Sequence, residues 1–446
     1  MENSLHMAQA NDPDNPLGFL KNRWLQLIFG ILCMGLVANL QYAWTLFVTP
    51  IETKHHFGLT GIQLSFSIFI LVETWLVPIE GYLVDKFGPR PVIAAGAIFA
   101  GLGWVCNAYA TSLPMLYIAA VLSGVGAGCV YGTCVGNALK WFPDKRGLAA
   151  GLTAAGFGAG AALTVIPIAK MIQDSGYEKA FLVFGIAQGV LIFALAMMMF
   201  RPTPPKGVQA APRVVTNKVD YSTGTMLKTP IFWLIYALFV AVAAGGLMAT
   251  AQLGPIAKDY GLAKLPISLF GMTLPLLTMT LSIDNLCNGF TRPLCGFISD
   301  RIGRENTMFV VFLGEGLAML GLMKFGHDPI AFMTCAALIF LFWGEIYSIF
   351  PAICADTFGI KYAAGNAGTL YTAKGTASLL VPLASVLSAG GNWDGVFIAG
   401  AVITVTAALM AKFVLKPMRK RFIDNSNHQL AQRTANADTN QYKAVA

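Results

Sequence analysis

Asn285-Leu-Cys-Asn-Gly-Phe-Thr-Arg292-Pro-Leu-Cys-Gly296-Phe-Ile-Ser-Asp300-Arg301-Ile-Gly-Arg304 is the stretch whose reading decides the fold. Its first part reads as a helix bound for hydrocarbon, yet it holds an arginine well short of the helix end. Its second part is a polar turn of glycine, acid and bases. A guanidinium in a bilayer is expensive to place and marks function by default. Eight residues separate Arg292 from Asp300, which at a rise of ~1.5 Å per residue sets the arginine ~12 Å inside the boundary of the apolar layer. Pro293 beside it removes a backbone donor and can free a carbonyl.

The surroundings of this stretch are those of a membrane protein. Hydrophobic residues make up 56% of the 446-residue chain and charged residues 12%, about half the charged share of soluble domains. Apolar runs of membrane-spanning length recur throughout: about Trp24–Phe47, Gly61–Leu83, Val92–Ala110, Leu113–Ala138, Leu148–Ile172 and Lys179–Phe200, then Ile231–Pro255, Ser268–Ile298, Thr307–Phe325, Pro329–Ala355, Asn366–Ser388 and Trp393–Val414. The first run has no small-residue cleavage site before Pro50 and is expected to be a retained helix. The expected fold is an all-α membrane protein of twelve transmembrane helices in two six-helix halves. Residues 1–200 and 230–417 form the halves, 201–229 a polar linker, and 418–446 a polar tail of low order. The eight cysteines all lie in apolar runs without metal-ligand spacing and read as packing residues.

Basic residues give the orientation. With both termini cytoplasmic, 22 of the 30 Lys and Arg fall in cytoplasmic segments and 6 in outer loops, leaving only Arg292 and Lys374. This bias is the positive-inside rule, and it accounts for the net charge of +8 without nucleic acid.

The halves repeat. Gly81-Tyr-Leu-Val-Asp85-Lys-Phe-Gly88-Pro-Arg90 returns as Gly296-Phe-Ile-Ser-Asp300-Arg301-Ile-Gly303-Arg304, with Asp85 and Asp300 at an offset of 215; Tyr131 and Phe142 match Tyr347 and Phe358 at 216. Matches at nearly one offset indicate duplicated halves. In each loop the glycine lets helices approach, and the acid can cap a helix or pair with a base in a state-dependent latch. Gly81, Asp85, Arg90, Gly296, Asp300 and Arg304 are therefore the candidate gating residues. The doubled loop resembles the signature of the major facilitator superfamily, in which it joins helices 2–3 and 8–9.

The two buried cations break the repeat. The partner of Arg292 is Val77, and aligning Leu152 with Leu370 pairs Lys374 with Gly156. Residues outside the duplicated scaffold are better candidates for chemistry than for architecture. One reading makes the pair an anion site. The other makes each cation a structural partner of a membrane acid, drawn from Glu73, Asp284, Glu315, Glu345 and Glu80, with Glu345 the candidate for Lys374. Tyr42, Trp44, Tyr131, Trp343, Tyr347 and Tyr371 supply aromatic walls. The glycine runs at 124–128 and 156–160 read as close helix packing.

At Gln41-Tyr42-Ala-Trp44-Thr-Leu, Trp141-Phe-Pro-Asp-Lys-Arg146-Gly-Leu-Ala, Asn288-Gly-Phe-Thr-Arg292-Pro and Ala373-Lys374-Gly-Thr-Ala-Ser378 the chain resembles the oxalate–formate antiporter family of major facilitators. The resemblance runs to about Pro417. It implies that Arg292 and Lys374 bind substrate carboxylates, that Gln41, Tyr42, Tyr131, Trp343 and Tyr347 wall the cavity, and that oxalate dianion exchanges for formate without ATP or cofactor. The chain departs from the family pattern at Tyr371, which replaces a cavity tryptophan, at Glu345, which replaces a glycine, and at Glu73 and Asp284, which replace amides. Such acids open a second reading, a proton-coupled monocarboxylate carrier with Glu345 or Glu73 as the proton site. A carboxylate sensor without flux is a third. No nucleotide-binding loop or nucleophile constellation points to an enzyme. The expected setting is a monomer in the bacterial cytoplasmic membrane.

Overall fold

The computed structural model describes residues 18–142, 146–201, 217–269, 271–359, 361–388 and 391–445. Apolar runs of this length bury their backbone hydrogen bonds within each segment, which only a helix does alone. The helices are α1 Arg23–His55, α2 in two pieces Leu59–Trp75 and Val77–Phe87, α3 Pro89–Ala108, α4 Leu113–Trp141, α5 in two pieces Arg146–Ala159 and Ala161–Ser175, and α6 Tyr177–Met197. There follow α7 Pro230–Asp259, α8 Leu276–Ile302, α9 Arg304–Phe325, α10 Pro329–Phe358, α11 in two pieces Ala363–Ser378 and Val381–Leu387, and α12 Asp394–Met410. Side-chain caps start some of them: Asn22 accepts from the Trp24 amide, and Asp328 from those of Ile330 and Ala331. Among the described residues ten helices are long and apolar enough to cross a membrane, or eleven with bent α2 counted as one. The 27-residue α8 has the length of the twelfth; its Asp284, Arg292 and Asp300 lower its hydropathy.

Three expectations change. The eighth run does not become helical at Ser268. Pro266–Leu269 (β1) and Met272–Pro275 (β2) form a short antiparallel hairpin, and α8 begins at Leu276. Pro266 and Pro275, facing each other across that hairpin, disfavour a helix through it. The tail is also not irregular: after a π turn at Ala411–Leu415, the backbone of Lys416–Val445 (α13) runs on as one helix. The end of the polar linker docks, too. Asn217 and Tyr221 donate backbone hydrogen bonds to the Asp356 and Phe358 carbonyls, and the Tyr221 hydroxyl meets Ser426 of α13.

Each half wraps its core with one set of helices and offers another to its neighbour. α3 packs closely with α6, and α9 with α12. These four present Ile98, Leu102, Val190, Leu191, Leu317 and Val402 outward, the apolar belt that a lipid environment accepts. α1, α2 and α5 meet α7, α8, α10 and α11 across the middle. Toward the face opposite the chain ends, hydrogen bonds stitch this seam. Gln63 donates to the Ala251 carbonyl and to Gln252, Thr45 accepts from the Gly254 amide, and Ser67 and Ser378 exchange hydroxyl-to-carbonyl bonds. Pro382 lies four residues beyond Ser378 and cannot donate to its carbonyl, which leaves that oxygen for Ser67.

The helix interruptions cluster where the cations lie. α1 is irregular at Ala38 and Ala43, α2 bends by 42° at Leu76, α5 breaks at Gly160, α10 at Gly344–Glu345 and α11 at Leu379–Leu380. Broken helices at mid-depth bring backbone and side-chain polar groups to a buried site.

Candidate functional site

Arg292 and Lys374 are both fully buried, and they lie over the same two rings. The Arg292 guanidinium carbon is 4.3 Å from the centroid of Tyr347 and 5.9 Å from that of Phe157; Lys374 Nζ is 5.6 Å and 5.5 Å from the same centroids. Each ring face carries negative charge density that partly offsets a cation in a dry interior. Tyr131 and Tyr371 stack on each other with centroids 5.2 Å apart, and Tyr131 meets Phe157 edge-on. Tyr42 also packs edge-on with Phe157, at 5.5 Å between centroids.

The two cations are held differently. Arg292 donates to neutral acceptors: Nε and Nη2 to Asn288 Oδ1 at 3.2 and 3.0 Å, Nη2 to the Tyr42 hydroxyl at 3.1 Å, and Nη1 to the Ala154 carbonyl at 2.8 Å. Among the described residues no carboxylate forms an ion pair with it. Lys374 Nζ donates to Glu73 Oε2 at 2.9 Å and to Gln41 Oε1 at 2.8 Å, with the Tyr371 hydroxyl at 3.4 Å. Both members of that ion pair are wholly out of solvent.

This geometry gathers Gln41, Tyr42, Tyr131, Tyr347, Tyr371 and Glu73 around the cations. Trp343 stands behind Tyr347, at 5.5 Å between centroids, with its indole laid against Gly246 of α7. Lys374 does not pair with Glu345, as the sequence suggested. The break in α10 holds Glu345 apart, buried, with neither carboxylate oxygen hydrogen-bonded, and Glu73 takes the place beside the lysine. Being consecutive in the chain had favoured α10, but α11 packs far more closely on α2.

Sequence reasoning missed Phe157 and the roles of Asn288 and the Ala154 carbonyl. Asn288 sits four residues before Arg292 and hence on its helix face, a spacing that could have found it. The signal for Phe157 was its glycine neighbours. A Cβ on Gly158 would lie 2.9 Å from Arg292 Nε and 2.9 Å from the Gly289 Cα, so glycine there lets α5 approach α8 at the arginine.

The repeated loops lie away from this site. Gly88 and Gly303 share φ of 90° and 92°, a region only glycine adopts cheaply. Arg90 donates to the Met199 carbonyl and covers the Phe200 ring; the side chain of Asp85 lies outside the described residues. In the second copy Arg304 pairs with Asp300 at 2.6 Å and with Asp356 at 3.1 Å, while Arg419 of α13 pairs with Glu305. Gly81 and Gly296 leave space of nearly 4 Å or more about them.

The fold and the doubled loops agree with the relatives of this chain. A model of the Major Facilitator Superfamily matches residues 27–283 and 265–436. The oxalate:formate antiporter of Oxalobacter formigenes is 36% identical over 406 residues, covering 90% of this chain and 93% of that one. The chain belongs to the major facilitator superfamily and, within it, to the oxalate–formate antiporter family. An uncharacterized MFS-type transporter of Escherichia coli, YhjX, is 26% identical over 82% of this chain and 88% of its own. The human monocarboxylate transporter 11 is 27% identical over 70% of this chain and 64% of its own. This major facilitator is a transporter, not an enzyme.

Proposed function

We propose that this major facilitator exchanges small carboxylate anions, oxalate for formate, by alternating access, with Arg292 and Lys374 as the anion-binding pair. The observation that carries the reading is Arg292: a fully buried guanidinium satisfied by neutral acceptors and rings, with no described carboxylate paired to it. A carboxylate displacing Asn288 Oδ1 from Nε and Nη2, with Tyr42 still holding the guanidinium, would gain a planar, bidentate, charge-assisted partner. Gln41, Tyr42, Tyr131, Tyr347 and Tyr371 line the place it would occupy, and Trp343 backs Tyr347. Without cargo the uncompensated guanidinium disfavours crossing the dry middle of the protein, which makes exchange obligatory.

In this reading residues 1–200 and 230–417 are the moving halves, 201–229 links them, and 418–446 is a cytoplasmic tail. A monomer sits in the bacterial cytoplasmic membrane with both termini cytoplasmic, as the distribution of bases favours. The hydrogen-bonded seam opposite the chain ends then closes the outer gate. The loop residues Gly81, Asp85, Arg90, Gly296, Asp300 and Arg304 adjust as the gates alternate.

Purified protein in vesicles loaded with formate tests this reading by uptake of labelled oxalate. Uptake should be many-fold greater than into empty vesicles and should vanish in Arg292→Ala. Equal uptake into loaded and empty vesicles overturns exchange; wild-type uptake by Arg292→Ala overturns the site.

A further inference from the structure

Resting on that exchange reading, we propose that Glu73 makes the exchange electroneutral, carrying one proton with each dianionic cargo and none with a monoanionic one. The site's charge count motivates this. Arg292 and Lys374 contribute two positive charges and Glu73 one negative charge, through the ion pair Glu73–Lys374 at 2.9 Å between two residues with no solvent exposure. A monocarboxylate brings this set to neutrality. A dicarboxylate dianion overshoots it by one negative charge, and a proton on Glu73 restores balance.

The geometry provides for that proton. Glu73 Oε2 faces Lys374, while Oε1 is buried and has no hydrogen-bond partner. A proton on Oε1 therefore breaks no hydrogen bond of Glu73 and does not displace the lysine, which keeps Gln41 Oε1 as a second acceptor. Glu73 also lies three residues before the 42° bend of α2 at Leu76. Beyond the bend, the carboxyl of Glu80 lies against Gly128 of α4, at a glycine whose Cβ would sit 2.5 Å from Glu80 Oε1 and 2.7 Å from the Glu73 carbonyl. Two carboxyls thus flank one hinge, with Glu80 on the side of the chain ends.

The titratable and charged groups in electrostatic reach of Glu73 are Lys374 and Tyr371 of α11, Tyr131 of α4, Tyr42 of α1, Tyr347 of α10 and, on α2 itself, Glu80. Arg292 of α8 acts on Lys374 from the far side. Glu80, Asp284, Glu315 and Glu345 are buried with both carboxylate oxygens free of hydrogen bonds. An unpaired buried charge is too costly to keep, so they enter the count as neutral acids.

The cycle balances. Oxalate dianion and one proton, taken from water on the loading side, move one way as a net single negative charge. Formate moves the other way with the same net charge, and the proton is released where oxalate leaves. In formate-loaded vesicles clamped with potassium and valinomycin, wild-type oxalate accumulation should be unchanged by membrane potential, and an internal dye should register one proton per oxalate. Glu73→Gln should move one net negative charge per turnover. Each charge crossing 100 mV is worth about 2.3 kcal/mol, so an inside-positive potential of that size should then raise its accumulation ratio about 50-fold, with no proton signal. A purely structural ion pair would leave the charge per turnover unchanged. Should Glu73→Gln fail to fold, the wild-type measurement decides alone. Potential-driven, proton-free oxalate–formate exchange by the wild type overturns the proposal and leaves the exchange reading standing. No oxalate–formate exchange at all overturns both.

Discussion

Arg292 and Lys374 sit over the same pair of rings, yet the protein treats them in opposite ways. Arg292 is surrounded by neutral acceptors, Asn288, Tyr42 and the Ala154 carbonyl, whereas Lys374 is tied to the carboxylate of Glu73. In the proposed exchange, charge at Arg292 is therefore left for cargo, while charge at Lys374 is largely met within the protein. A buried cation satisfied by neutral groups keeps its charge uncompensated; one paired to an acid has that charge met inside the protein, and removing either partner strands the other.

Replacing Arg292 should give the largest functional effect. Arg292→Ala removes the fork that receives a carboxylate, and loss of two charge-assisted bonds of about 1.5–3 kcal/mol each implies a drop in transport of at least roughly 100-fold. Arg292→Lys keeps the charge but not the bidentate geometry, and should remain far below wild type. Labelled-anion uptake reads both, and near-normal rates in the lysine variant would make Arg292 a mere point charge.

The Lys374 side should fail first in stability. Lys374→Ala leaves Glu73 buried without its cation, a loss of about 3–5 kcal/mol. The double variant Lys374→Ala with Glu73→Gln should recover most of it, because both ends of the ion pair are then gone. Thermal unfolding in detergent measures the cycle. Additive effects would mean that the 2.9 Å contact contributes nothing to holding α2 against α11.

The unequal treatment of the two cations was only half legible in the sequence. Twelve apolar runs, the repeated loops and the two symmetry-breaking cations follow from composition and offset alone, because lipid imposes helices of fixed length and duplication preserves spacing. Which acid meets which cation depends on helix-to-helix contacts with no sequence period. Glu345 precedes Lys374 by one helix and Glu73 by nine, yet α2 is the neighbour of α11. Phe157 was hidden for a related reason: its flanking glycines signal close packing, but against which helix is a property of the assembled bundle. The hairpin at 266–275 and the helix at 416–445 were lost because apolarity alone does not separate strand from helix, nor polarity a tail helix from coil.

A smaller effect should follow from crowding the arginine without touching its partners. Gly158→Ala places a methyl group 2.9 Å from both Arg292 Nε and the Gly289 Cα. Overpacking of this kind costs about 1–3 kcal/mol, so α5 or the guanidinium must shift. Unfolding temperature and affinity for cargo should both fall. If only stability falls, the close approach serves helix packing and not the position of Arg292.

The finest test compares two hydroxyls, one on each cation. Tyr42→Phe removes an acceptor for Arg292 Nη2 at 3.1 Å and for the Asn288 amide at 3.2 Å, while Asn288 Oδ1 and the Ala154 carbonyl continue to hold the guanidinium. One charge-assisted bond of about 1.5 kcal/mol corresponds to a roughly tenfold rise in KM with little change in unfolding temperature. Tyr371→Phe removes a longer contact, 3.4 Å from Lys374 Nζ, and leaves Glu73 and Gln41 in place at 2.9 and 2.8 Å. Its effect on KM should be about twofold or less, since a contact as long as 3.4 Å beside an ion pair adds little. If Tyr371→Phe proved the more damaging, Lys374 and not Arg292 would be the cation that waits for cargo.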